Sequence, residues 1–179
     1  MLNEVRTFVA AMTVLLATAV MQPVAAADST MPHVSADSQG GKHVTLPDDE
    51  RGQPFVLAIG YDRSAASDLQ RWSHKLNENV PSGQLFGVVV AAGVPFFVKG
   101  TVRKAIAKSA PITLPAHRDD VLITFEDVGW RTFATSGKAS DCAIVVVDGA
   151  GTIRYRHRGP YDAAIAADAI AAFAAAKRS

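Results

Sequence analysis

The chain has one cysteine in 179 residues, Cys142. That excludes an internal disulfide, a Cys-x-x-Cys redox pair and a cysteine-rich zinc site. It has almost no net charge, with 18 Lys+Arg against 17 Asp+Glu, so there is no global field to attract nucleic acid, and a charge-driven partner has to be met by a local patch. It lacks a hydrophobic run long enough to cross a bilayer: the longest apolar stretch, Phe8 to Val20, falls short of the roughly 20 residues a spanning helix needs. There is no Gly-x-Ser-x-Gly elbow to present a serine nucleophile. His33, His43, His74, His117 and His157 are scattered without ligand spacing, and no internal repeat is present. His117-Arg118-Asp119-Asp120 gathers polar groups in a loop, but a transition-metal site needs several convergent ligands, and a solvated loop is the simpler reading. No metal and no cofactor are expected.

What is present begins with a leader. Arg6, the apolar run and the small residues of Gln22-Pro23-Val24-Ala25-Ala26-Ala27 have the three-part grammar of a secretory signal, predicting cleavage near Ala27 and a periplasmic destination. In that oxidising space a lone cysteine is either buried or exposed for a reason. Residues 1–27 are thus read as signal peptide, 28–42, polar and Gly/Ser-bearing, as a flexible arm, and 43–179 as one domain.

Within that domain His43-Val44-Thr45-Leu46 alternates like an edge strand, and Phe55-Val56-Leu57-Ala58-Ile59 is a short apolar run suited to a central strand buried on both faces. Ser64 can N-cap a helix whose Leu69, Trp72 and Leu76 form one apolar face. Leu85 to Val90 is a second buried strand, making a strand–helix–strand crossover. Val102, Ile106 and Ala110 recur at helical spacing among Lys99, Arg103, Lys104 and Lys108, which predicts a cationic amphipathic helix. Val121 to Phe125 is a third strand, Val128 to Ala134 a short helix or turn, and Ala143 to Val147 a fourth strand. Asp148-Gly149-Ala150-Gly151 reads as a hairpin turn whose two glycines supply positive φ. Thr152 to His157 returns as its antiparallel partner, with Arg154, Arg156, His157 and Arg158 as a solvated edge. The alanine-rich segment from Asp162 to Ala176 closes the domain as a helix.

This order of elements resembles the thioredoxin-like fold, an α/β architecture with a central mixed sheet of about five strands and flanking helices. The hairpin wording carries the likeness: Ala143-Ile144-Val145-Val146-Val147-Asp148-Gly149-Ala150-Gly151, then Thr152 to Gly159. Redox-active members place Cys-x-x-Cys between the first core strand and its helix. Here Tyr61-Asp62-Arg63-Ser64-Ala65-Ala66-Ser67 stands in that place, with serines at the family's spacing and no thiol. The family's cis-proline position, just before the hairpin, holds Ser140-Asp141-Cys142 and no proline. The resemblance therefore implies the scaffold, and it implies a redox-dead member, similar to the mitochondrial ATP synthase assembly factors that also carry a basic segment after the second strand.

Three candidate sites follow. Cys142 is either a core residue, in keeping with the strong tendency of free cysteine to be buried, or a one-cysteine thiol nucleophile. Ser64 and Ser67 with Arg63 either cap their helix or bind an anion or partner at its N-terminus. The segment 96–108 either packs Phe96, Phe97 and Val98 into its own domain, leaving the lysines in water, or lays them on a protein partner or membrane surface while Lys99, Arg103, Lys104 and Lys108 meet anionic groups. The sequence points to an exported binding or assembly module with no catalytic residue, the alternative being a thiol-dependent redox enzyme using Cys142. A nucleic-acid partner is not expected.

Overall fold

The computed structural model describes residues 29–109, 115–133, 138 and 140–179; the leader read in the sequence lies outside them. Eight strands form one mixed sheet: β1 (Ser29–Thr30), β2 (Val34–Ser38), β3 (His43–Leu46), β4 (Phe55–Gly60), β5 (Leu85–Val90), β6 (Val121–Thr124), β7 (Cys142–Val147) and β8 (Thr152–Gly159). Among the described residues three α-helices accompany them: α1 (Ala66–Asn77), α2 (Lys99–Ser109) and α3 (Ala163–Ala176). The spatial order is β1-β8-β7-β4-β5-β6-β2-β3. β4, β5 and β6 run parallel, while β7 opposes β4, β8 opposes β7 and β2 opposes β6.

The central run behaves as expected: every residue of β4 is buried. Alternation sends Phe55, Leu57 and Ile59 to one face and Val56 and Ala58 to the other, as the period of two along a strand requires. The second face is roofed by Trp72 and Leu76 of α1 and by Ala166, Ala169 and Phe173 of α3. The alanine-rich α3 starts at Asp162, whose carboxylate accepts from the amides of Ala164 at 2.8 Å and Ile165 at 3.1 Å, satisfying two of the donors a helix start leaves open.

Two expectations need correction. The sheet has eight strands, not about five, and much of the difference comes from the segment read as a flexible arm, whose described residues 29–42 are ordered into the sheet. Met31, Val34 and Ala36 from it are buried in the core, and β2 pairs with both β3 and β6. Ser35, Asp37 and Ser38 dilute the hydrophobic alternation of β2 until it reads as a polar stretch. Ser38 is nevertheless buried, its hydroxyl donating to Asp119 at 2.8 Å, so a partner 81 residues away removes the desolvation penalty that would otherwise keep serine at the surface. β3 is indeed an edge strand, and its Thr45 amide is taken by the Asp49 carboxylate at 2.7 Å, which blunts it against further pairing.

The hairpin turn forms, with a different division of labour between its glycines. Gly151 alone has positive φ, +84°, whereas Gly149 is needed because a Cβ there would stand 2.9 Å from the Gly52 backbone. Asp148 organises the turn, accepting from the amides of Ala150 and Thr152 and from Arg154 Nε at 2.7 Å. β8 is less of a solvated edge than expected, since His157 is half-buried against Trp72, their rings 5.9 Å apart.

Candidate functional site: the carboxyl edge of the parallel strands

The parallel strands β4, β5 and β6 all end at one edge of the sheet, and in open α/β sheets that carboxyl edge is where ligands are bound. Three loops rise from it. Tyr61–Ala65 leads into α1, Ala91–Val98 leads into α2, and Phe125–Gly129 follows β6. Because β7 opposes β4 and Cys142 pairs with Gly159, Cys142 enters beside the same edge.

In the first loop a single 3₁₀ turn, Arg63–Ala65, precedes α1. The cap is Asp62, not Ser64: the Asp62 carboxylate accepts from the Ser64 amide at 2.8 Å and the Ser64 hydroxyl at 2.7 Å. Those hydrogen bonds, backbone first, hold the Asp62 carboxyl below the usual carboxylate range. The amide and hydroxyl with which Ser64 would receive an external anion are therefore already taken by an internal carboxylate, which caps the 3₁₀ turn, while α1 itself starts behind Ala65 without a side-chain cap. Arg63 and Ser67 are exposed on either side. Tyr61 turns inward, its hydroxyl donating to the Trp130 carbonyl at 2.9 Å beneath the Arg158 guanidinium, 5.2 Å from the ring centroid; burial raises its phenol well above the usual range.

Cys142 has no exposed surface, and its Sγ faces the Ala65 carbonyl at 3.6 Å. Burial, reinforced by the negative charges of Asp68 and Asp141 and only partly opposed by Arg158, pushes its thiol up to about 12. A nucleophilic cysteine needs a thiolate in an electropositive and accessible place. Cys142 has the opposite surroundings: it is the core residue.

The basic helix forms as the spacing predicts, but its apolar start does not pack inward. Phe96 and Phe97 are 87% and 84% exposed, which corrects the reading that buries them in their own domain. No described residue of α2 is buried. The helix is held through its charged side chains instead: Arg103 pairs with Asp37 of β2, and Lys99 Nζ and the Arg103 guanidinium lie 5.0 and 5.3 Å from the Phe125 ring centroid, contacts of the cation–π kind. Asp37 also receives His43 Nδ1 at 2.9 Å, and the hydrogen bonds from His43 and then Arg103 lower its carboxyl. Between these groups opens a groove of about 340 Å³, lined by Asp37, His43, Phe96, Lys99, Arg103 and Phe125 among others. Lys99 and Arg103 thus hold the helix down, whereas Lys104 and Lys108 are exposed.

The structure places Arg63 and Ser64 on the first loop, Ser67 in the first turn of α1, and Lys99, Arg103, Lys104 and Lys108 on one helix, at the same sheet edge. Sequence reading missed Asp37, Phe125, Tyr61 and Trp130. Asp37 sat in a stretch read as unstructured, and its partner Arg103 is 66 residues away; Tyr61 and Trp130 take their meaning from contacts 69 and 95 residues away, and Phe125 from the cations of α2. The stretch read as a loop at His117 to Asp120 lies in a 3₁₀ turn, Pro115–Asp120, where Asp119 and Asp120 are engaged as acceptors for Ser38 and Ser82, stapling it to β2 and to the turn before β5.

His157 supplies a pH dependence. Burial lowers its pKa against the opposing pull of Asp162 and Asp141, and its Nε2 and the neighbouring Trp72 Nε1 are buried without a hydrogen-bond partner. The folded state prefers the neutral ring, so below the ordinary histidine value near 6.5 the unfolded chain takes up the proton first and stability falls. Between pH 7 and pH 5 the urea midpoint of the wild type is expected to drop more than that of His157→Gln; equal drops would remove His157 from the account.

No protein-family model matches the chain, and no curated protein sequence does. Solved structures do. A candidate protein disulfide isomerase from Bacteroides thetaiotaomicron aligns with a TM-score of 0.61 at 16% identity, covering 87% of this chain and 92% of its own. BsSco, a member of the Sco family of cytochrome c oxidase assembly proteins, aligns with a TM-score of 0.55 at 15% identity over 84% and 95%. A secreted thiol-disulfide isomerase from Corynebacterium glutamicum aligns with a TM-score of 0.53 at 14% identity over 82% and 87%. At these identities the likeness speaks for architecture, and function has to be argued from the site. With its β4–α1–β5 crossover, parallel β6, β7–β8 hairpin and closing α3, this chain has the thioredoxin-like fold, and its single cysteine leaves it without a Cys-x-x-Cys pair.

Proposed function

We propose that the chain is an exported binding or assembly module on a thioredoxin-like scaffold, engaging its partner at the carboxyl edge of β4, β5 and β6 without dithiol exchange. The observation that carries this reading is the placement of the one thiol. Disulfide exchange needs an accessible thiolate and a second sulfur to resolve the mixed disulfide; Cys142 is sealed in the core with its thiol raised, and Ser64 and Ser67 stand at the helix start. The export half of the reading rests on the leader grammar of residues 1–27. The same edge that lacks a thiol displays Phe96, Phe97, Lys104 and Lys108 to solvent, and a paired aromatic exposure of this kind marks contact surfaces.

The test has two arms. In the dithiothreitol-driven reduction of insulin, the protein should leave the rate at that of buffer, and a rate increase abolished by Cys142→Ala would overturn the reading. In cells lacking the chain, Cys142→Ala should restore the wild-type phenotype, while Lys104→Glu/Lys108→Glu should not. Lys104 and Lys108 serve this purpose better than Arg103, whose reversal would set a carboxylate against Asp37 and loosen the helix itself.

A further inference from the structure

The surface of α2 that faces away from the sheet has a composition of its own. Continuing the helical spacing through the 3₁₀ turn Phe96–Val98, residues 97, 101, 104 and 108 fall in one line, at i, i+4, i+7 and i+11. All four are exposed: Phe97, Thr101, Lys104 and Lys108. Phe96 stands beside Phe97 at the tip and forms the rim of the groove. From Val94 to Ala110 the sequence contains no acidic residue. The opposite cations, Lys99 and Arg103, are turned onto Phe125 and Asp37, which sets the orientation of the line: aromatic tip first, lysines behind it, all outward.

We infer that this line is a peripheral membrane contact, in which Phe96 and Phe97 enter the headgroup region of an anionic lipid surface and Lys104 and Lys108 meet its phosphates. This deepens the proposed binding role by naming the partner of the α2 side of that edge, and it rests on that reading. The chemistry favours lipid over a protein partner. A stable protein interface covers about 800 Å² on each side around an apolar centre ringed by polar groups. Here the apolar part is two adjacent side chains on a projecting tip, with no buried residue among those described in the helix behind them to extend it. A tip of that shape can insert between headgroups, where aromatic rings are favoured, while lysines a turn or more away gain from the negative surface potential. No described helix is long and apolar enough to cross a membrane, and the contact inferred requires none.

The experiment is sedimentation of the purified protein with vesicles of phosphatidylglycerol and phosphatidylcholine in equal parts, against vesicles of phosphatidylcholine alone. Wild type and variants share the rest of the chain, so differences between them report on the patch. Wild type is expected to partition onto the anionic vesicles at least about tenfold better than onto the neutral ones, and to be released by 0.5 M salt, which cuts the screening length to a few ångströms. Phe96→Ser/Phe97→Ser should lower the partition about tenfold or more, and Lys104→Glu/Lys108→Glu about as much. All four side chains are exposed, so circular dichroism should be unchanged in both variants. Wild type that stays in the supernatant with anionic vesicles overturns the inference and leaves the surface to a protein partner. Binding that survives both variants overturns it as well. Neither result touches insulin reduction, by which the absence of dithiol exchange stands or falls separately.

Discussion

In the folded protein Cys142 should react with iodoacetamide at least about a thousandfold more slowly than in the denatured chain at the same pH. The thiol moves from an ordinary 9.0 to about 12, which leaves roughly a thousandth of the thiolate, and the thiolate is the reacting species. Complete burial adds to this by requiring the domain to open before reagent can enter. The physical cause is desolvation first, then the nearby carboxylates of Asp68 and Asp141, which make a second negative charge unwelcome. Mass spectrometry of alkylated protein over time, with and without guanidinium chloride, measures both rates. Equal rates would place the thiol in contact with solvent and revive the reading of Cys142 as a nucleophile. Cys142→Ala, which removes a small buried group and only a weak S–H contact to the Ala65 carbonyl, should be well tolerated, whereas Cys142→Ser exchanges that S–H for a hydroxyl facing the carbonyl at 3.6 Å, beyond good hydrogen-bond reach.

The largest loss of stability is expected at Trp130. It is fully buried, its indole Nε1 donates to the Ser35 carbonyl at 3.2 Å, its own carbonyl receives the Tyr61 hydroxyl at 2.9 Å, and its ring lies 6.1 Å from that of Phe133. One residue thus joins β2, the loop after β4 and the 3₁₀ turn Trp130–Phe133. Trp130→Ala should cost about 3–5 kcal/mol from the lost burial and the cavity left behind, a large fraction of the roughly 5–15 kcal/mol that holds a domain of this size. A fall of about 10 °C or more in the thermal midpoint follows, measurable by far-UV circular dichroism. Tyr61→Phe, which deletes one hydrogen bond and keeps the ring, should cost only about 1 kcal/mol. Similar losses for the two variants would mean that Trp130 packs less than its burial indicates.

The two residues differ in how visible they were. For Cys142 type alone favoured burial, because a free cysteine at the start of an apolar run is a buried residue far more often than a reactive one, and the fold then closed the alternative. Trp130 sits in Val128 to Phe133, where neither period nor propensity is marked, and its importance comes from Ser35, 95 residues earlier. β2 was obscured for a related reason: its buried Ser38 is tolerable only once Asp119 is beside it. Phe96 and Phe97 show the reverse failure. Type predicts a core, yet the short loop after β5 and the ion pair of Arg103 with Asp37 hold α2 so that its start projects into solvent.

From its own residues the sequence determined the central strands, the crossover helix, the hairpin and the closing helix, hence the fold class, and it determined that no second thiol is available. These depend on run length, period, turn chemistry and composition, which are local properties and need no partner. The width of the sheet, the sealing of Cys142 and the outward face of α2 were settled by the folded chain. Each arises from contacts between residues far apart in the sequence, and burial, which sets both the cost of a charge and the reach of a ligand, exists only after those contacts have formed.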